Sequence, residues 1–160
     1  HPILTLLNET FADIYAFDPF EEWEMDDFAD RYLPILDPRF IKAITDLNGN
    51  LLSFIIAMPD ISKGLRASKG YMLPIGILQV IYARKRAKQL NLLLGGIKQE
   101  YRGKGLDVIM GVKMLESAHK CGMEYIDSHL ELETNRLVRK EMERMGGKVY
   151  KRFRIFKKEI

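Results

Sequence analysis

Apolar positions along this chain change their spacing several times, and each change marks an element. Behind Pro2, which suits a first helical position, Leu4, Leu7, Phe11 and Ile14 recur at helical intervals. A second helical stripe, Met25, Phe28 and Tyr32, lies within 21–33, and Pro34 and Pro38 end it. The period then falls to two. Residues 40–47 and 51–58 flank Asn48-Gly49, the pair a tight type I′ turn prefers, so a hairpin is predicted. Its second arm (Leu51, Leu52, Phe54, Ile55, Ile56, Ala57, Met58) is apolar on both faces, as an interior strand must be. Past residue 90 the pattern reads strand, helix, strand, helix, strand. Residues 92–98 are extended. Residues 106–120 are helical, with Leu106, Met110, Met114 and Ala118 on one face and Gly122 as the stop. Residues 123–132 are extended, 133–145 helical up to Gly146-Gly147, and 148–157 extended, with Val149, Phe153 and Ile155 set against charge as near a sheet edge.

Residues 61–90 interrupt this order. Lys63, Gly64, Ser68, Lys69 and Gly70 read as a polar loop; 71–83 is mostly apolar, broken by Pro74, Gly76 and Gln79; Arg84, Lys85, Arg86 and Lys88 follow. The apolar stretch is too short to cross a bilayer. Two readings fit it. It is a half-buried helix whose basic end meets an anionic membrane surface or lines an apolar pocket, or a core helix whose cations suit its own dipole.

A chain of 160 residues fits one domain with a sizeable core. The net charge of +3 gives no case for nucleic acid as a partner. The charge is uneven, however. Asp18, Glu21, Glu22, Glu24, Asp26, Asp27 and Asp30 crowd one stretch, and Lys148, Lys151, Arg152, Arg154, Lys157 and Lys158 crowd the end; solvated faces account for both, and the acidic one could also attract a cationic amine. The single cysteine, Cys121, excludes an internal disulfide and points to a reducing, cytoplasmic setting, with the inner membrane surface as the alternative location. Three histidines without carboxylate spacing predict no metal site. The start at His1, without methionine, means either that residues were trimmed or that this is the C-terminal part of a longer chain, with an upstream domain or a homodimer partner as its neighbour.

The stretch with the most chemistry is Gly95-Gly96-Ile97-Lys98-Gln99-Glu100-Tyr101-Arg102-Gly103-Lys104-Gly105-Leu106-Asp107. It joins a predicted strand to a predicted helix. A glycine-rich turn there leaves backbone N–H groups at the positive end of the helix dipole, where they bind phosphate, and Arg102 and Lys104 add cations.

These residues, in this order of elements, resemble the GNAT superfamily of acyl-CoA N-acyltransferases, whose signature is Arg/Gln-x-x-Gly-x-Gly/Ala at a strand-to-helix turn. Asn135, Val138, Met142, Arg144, Gly146 and Gly147 occupy the positions of that family's penultimate helix, and the similarity covers roughly 40–156. The resemblance implies an α+β fold: one domain over 1–160 with a splayed mixed sheet flanked by helices, 61–90 being an insertion. It implies acetyl-CoA or a longer acyl-CoA as co-substrate. Its pantetheine arm would lie along the strand edge at Ile97 and Gln99. Its pyrophosphate would lie on the turn formed by Arg102, Gly103, Lys104, Gly105, Leu106 and Asp107, with Asn135 touching the cofactor from the next helix. The implied activity is acyl transfer to a primary amine. The apolar, basic insertion and a likeness to bacterial proteins of long-chain amine acylation suggest a lipid amine, with a small-molecule amine as the other acceptor and peripheral membrane contact through 71–88. The alternative is a catalytically inactive domain of the same fold that binds a ligand or docks to a neighbour. Asp107 stands where the family has Gly or Ala, so it must turn aside or meet Lys104. Met142 stands where a tyrosine often acts as general acid and cannot donate that proton. The family also has one more strand at each end.

The reaction needs a base to take a proton from the amine. In the predicted strand 123–132, Tyr125, Asp127, His129 and Glu131 share one face, about 7 Å apart. Ionisable groups on an interior strand are costly unless paired or functional. His129 or Glu131 is therefore the expected base, directly or through a water; a satisfied structural network explains the row equally well. Glu133 and His119 read as helix-end charges.

Overall fold

Residues 51–59 alternate two apolar sets. Phe54 and Ile56 face one way, Ile55 and Ala57 the other, and all four are buried or half-buried. A strand of this kind needs a neighbour on each edge and cover on each face. The computed structural model describes residues 2–14, 17–69, 71, 75–128, 130–154, 156 and 158. In it β2 (Leu51–Pro59) lies between β1 (Ile41–Thr45) and β3 (Gln89–Ile97), antiparallel to both. A fourth strand, β4 (Tyr125–Ser128), adds parallel to β3, so the sheet is mixed with the order β1-β2-β3-β4.

Helix α1 (Pro2–Phe11) sets Leu6 and Leu7 on Phe54 and Ile56. Gly96 permits this close crossing, because a Cβ there would stand 2.7 Å from Thr10 Oγ1. Helix α2 (Glu22–Tyr32) follows, opened by a capping box in which the Glu21 N–H donates to Glu24 Oε2 at 2.9 Å. The opposite face of the sheet is covered by a later helix, α5 (Leu106–Lys120). Its Met114 and Ala118 pack with Phe40, Ala57 and Leu90. The apolar face expected on this helix is borne out: Met110, Met114 and Ala118 are buried, while Val108, Val112 and Leu115 are exposed.

Between β2 and β3 come α3 (Ser62–Ala67) and α4 (Gly76–Lys85). Residues 63–67 were expected to lie in a polar loop running from Lys63 to Gly70. They are helical because the Asp60 side chain accepts the Ser62 N–H at 2.9 Å and because α4 packs on them. Gly64 allows that packing, since a Cβ there would lie 2.7 Å from Val80 Cα. The apolar helix itself begins at Gly76; of the expected 71–83, Tyr71 lies outside it and 72–74 fall outside the described residues.

Other expectations are corrected. The hairpin is present but its turn is not type I′. The Gly49 N–H donates to the Asp46 carbonyl at 3.1 Å and Gly49 takes the left-handed conformation (φ 86°), whereas Asn48 keeps negative φ. This is a type I turn closed by a left-handed glycine, and the Asp46 side chain sets it by accepting from the Asn48 and Asn50 N–H groups. The strand expected over 123–132 is only Tyr125–Ser128. Described residues 148–154 form no strand, and Ile155 and Lys157 fall outside the described set. The chain divides into two compact units, 1–129 and 130–160. Within the second, α6 (Arg136–Arg144) starts three residues later than expected, and Arg154 pairs with Glu133 at 3.1 Å.

Candidate functional site

β3 is longer than its parallel partner. Pairing with β4 runs from Gln89↔Tyr125 to Leu92↔Ser128 and stops, while β2 stays paired with β3 as far as Ile97. Among the described residues no strand pairs with 93–97 on the side where β4 has ended, which leaves a free edge of roughly 16 Å there. A bulge marks the place: Ile56 pairs with Leu94 and Ala57 with Leu92, so Leu93 is the extra residue. Near the far end the Lys98 N–H donates to the Leu52 carbonyl at 2.9 Å. Alternation along an antiparallel pair then turns the N–H and C=O groups of Ile97 and Gly95 toward the free edge.

That edge runs into the turn the sequence singled out. A 3₁₀ turn, Gln99–Tyr101, follows β3, so Gln99 is not on the extended edge where it was expected. Arg102 turns back, its Nε donating to the Ile97 carbonyl at 3.3 Å. Gly103 (φ 71°) and Gly105 (φ 82°) are both left-handed, a conformation costly to any residue with a side chain. Gly105 is the N-cap of α5, and its carbonyl accepts the first helical bond, from the Ile109 N–H at 3.1 Å. The amides of the first turn thus precede the hydrogen-bond ladder and carry the positive end of the dipole. A Cβ at Gly103 or Gly105 would meet nothing within 4 Å, so the mouth of the turn is open. Arg102 and Lys104 are exposed beside it, with Lys104 Nζ 4.9 Å from the centre of the Tyr101 ring. Asp107 is half-buried and has a partner of its own within the protein.

The structure thus brings Ile97 and the run from Arg102 to Asp107 together at one end of β3. It does not continue the polar row. β4 ends at Ser128, so Glu131 is not on the strand; Glu131 is half-buried in the second unit, and His129 lies outside the described residues. Asn135, also in the second unit, caps α6 by accepting the Val138 N–H at 3.4 Å. Met142 lies in the same helix, where its carbonyl accepts the Gly147 N–H at 2.8 Å.

One group escaped the sequence reading. Gln89 Nε2 donates to Asn91 Oδ1 at 2.8 Å and to Asp127 Oδ2 at 3.2 Å, just before the strands part. Asp127 had been noticed only in its own strand. Gln89 and Asn91 alternate with Leu90 and Leu92, which is the signal that could have found them, but nothing local reveals that Asn91 pairs with Asp127. Among the described residues no group of three or more metal-binding side chains occurs, and no helix is long and apolar enough to cross a membrane.

No protein-family model matches the chain. Over 161 aligned residues it is 24% identical to the bacterial ceramide synthase of Caulobacter vibrioides (strain NA1000 / CB15N), covering 97% of this chain and 42% of that protein. It is 23% identical to protein YghO of Escherichia coli (strain K12), covering 97% and 41%. The chain thus spans about two fifths of the length of these curated relatives. Among solved structures it is similar to AAC(6')-Iy in complex with the bisubstrate analogue CoA-S-monomethyl-acetylneamine, with a TM-score of 0.55, 14% identity, and coverage of 98% of this chain and 92% of that one. A ribosomal-protein-alanine N-acetyltransferase from Brucella melitensis biovar Abortus 2308 gives 0.54, 16%, 98% and 91%. The fold is that of the GNAT acetyltransferases, as the motif and element order led one to expect.

Proposed function

We propose that this chain is an acyl-CoA-dependent N-acyltransferase domain acting on a primary amine, and that the amine is long-chain or lipid. The observation that carries the reading is the free edge of β3 leading into the open turn of Gly103 and Gly105. An edge of unpaired amides suits the amide-bearing arm of CoA, and a helix N-terminus flanked by Arg102 and Lys104 suits its diphosphate. Ile97, Arg102, Gly103, Lys104, Gly105, Leu106 and Asp107 make up the proposed cofactor-binding set, to which Gln99 and Asn135 are assigned as well. The long-chain acceptor is supported by the Caulobacter relative, whose name denotes synthesis of an amide-linked lipid. The compartment that follows is the cytoplasm, where acyl-CoA is made.

In the reaction the amine nitrogen forms the new C–N bond, the thioester C–S bond breaks, one amine proton passes to a base, and CoA leaves as a thiolate that then takes a proton. His129 and Glu131, the ionisable residues that follow the end of β4 in the chain, are the proposed bases. Asp127, tethered by Gln89, orders the floor of the split between the strands. Backbone dipoles already fixed at the turn cost nothing to reorganise when the cofactor arrives.

The test is an assay of free thiol with acyl-CoAs and amines of increasing chain length, with the amide identified by mass spectrometry. Thiol release that needs both substrates and rises with amine length is expected. Binding of CoA without thiol release for any pair would replace the transferase with a ligand-binding domain of the same fold.

A further inference from the structure

α4 is built inside out. Its bulky apolar side chains Ile77, Leu78, Ile81 and Tyr82 occupy one continuous helical face, and that face is exposed, Leu78 to 63%. Its inner side is formed instead by Gly76, Gln79, Val80, Ala83 and Arg84. Gln79 Oε1 is buried there without a hydrogen-bond partner among the described residues, and Arg84 reaches in to Asp37 at 2.9 Å. Packing therefore fixes the orientation: Gly64 and Gly76 allow backbone approaches too close for any Cβ, and the Arg84–Asp37 pair locks the end of the helix. The greasy face is not free to turn inward. Ile75, just before the helix, and Leu65 on α3 are exposed as well.

Charge indicates what covers this face. Between Asp60 and Glu100 the chain has no acidic residue, yet it carries Lys63, Arg66, Lys69, Arg84, Lys85, Arg86, Lys88 and Lys98. Lys85 and Arg86 continue the apolar face at the end of α4, and the Arg86 guanidinium lies 4.7 Å from the centre of the Tyr82 ring, at the boundary between grease and charge. A second copy seated on the same face offers these cations no counter-charge from this stretch, which holds no acidic residue. An anionic lipid surface satisfies both features at once.

We propose that the α3–α4 hairpin is a membrane-docking element that inserts Ile77, Leu78, Ile81 and Tyr82 among the acyl chains of an anionic bilayer, with Lys85 and Arg86 on the headgroups. This goes beyond acyl transfer and stands without it. The measurement is co-sedimentation of the protein with vesicles of phosphatidylglycerol and phosphatidylcholine in equal parts, against phosphatidylcholine alone. Binding to the anionic vesicles only, weakened by salt, is expected. K85Q together with R86Q lowers the affinity roughly 30-fold. The triple variant I77S, L78S, I81S abolishes binding while its melting temperature stays within a few degrees of the parent, because these side chains are not packed inside. Equal binding to neutral vesicles, no binding to either, or binding that survives the triple variant overturns the proposal. So does a concentration-dependent dimer that the triple variant dissolves, which would make the face a contact between copies. The thiol assay with a short, water-soluble amine reads the transferase separately, so either idea can fail alone.

Discussion

Replacing Gly105 with valine is expected to abolish stabilisation by CoA while leaving the protein folded. The folded state survives because a Cβ at this position meets nothing within 4 Å. Binding does not, because Gly105 holds φ at 82°, and a β-branched residue is strained there by about 1–2 kcal/mol or more. The turn relieves that strain by leaving the left-handed region, which re-aims the amides at the start of α5. A ligand at a hundred times its Kd stabilises a protein by about 2.7 kcal/mol. For a chain of this size that is a rise in Tm of roughly 8 °C. Thermal shift in excess CoA should show the rise in the parent and none in Gly105→Val, with the two unliganded Tm values within a few degrees. A variant that keeps the full CoA shift would mean that this turn does not hold the cofactor.

Asp37→Ala is expected to destabilise the first unit strongly. Asp37 is 4% exposed and gathers two cations. Its Oδ1 accepts from the Arg39 N–H and Nε at 3.1 Å; its Oδ2 accepts from Arg39 Nη2 at 2.8 Å and Arg84 Nη2 at 2.9 Å. It also caps the short turn Pro38–Phe40 that delivers Phe40, fully buried, into the core beneath α5. Alanine leaves Arg84 half-buried and unpaired, removes the cap and cuts the tie between α4 and the turn before β1. Breaking a buried pair in this way costs about 3–5 kcal/mol. The low end applies here, since Arg39 can turn to solvent. A fall in Tm of roughly 10 °C follows. The bonds from Arg39, and after them those from Arg84, hold the Asp37 carboxyl well below the usual carboxylate range, against the opposing push of burial. Because the folded value is depressed, the stability it contributes is complete above about pH 4 and is lost as the pH falls toward the folded value. The gap in Tm between the parent and Asp37→Asn should accordingly narrow below about pH 4. A gap that stays constant with pH would mean that the charge of Asp37 contributes nothing.

Elements with a strong local signal were legible in the sequence, and elements fixed by distant contacts were not. α5 was legible end to end, because Gly105 and Gly122 bracket a helical apolar period. The hairpin was legible from Asn48-Gly49, but the turn type was decided by the Asp46 carboxylate competing for backbone N–H groups. α3 was missed because six residues have little helical preference of their own and form against α4. The length of β4 was misjudged because a parallel strand ends where its partner leaves, and sequence does not show partners. Of the candidate site, the turn was visible as motif and glycines. The Gln89–Asn91–Asp127 group was hidden because Asp127 is 38 residues from Gln89 and meets it only through parallel register. The inverted face of α4 had the composition of a core helix, and only the packing of Gly64 against Val80 reveals which side faces out.

A crystal structure with CoA bound decides whether this turn holds the cofactor. The diphosphate is expected within about 3 Å of the amides at residues 103–107, and the pantetheine arm paired with the backbone of Gly95 and Ile97 on the free edge of β3. A diphosphate bound elsewhere, with the Asp107 carboxylate occupying the mouth of the turn, would contradict it.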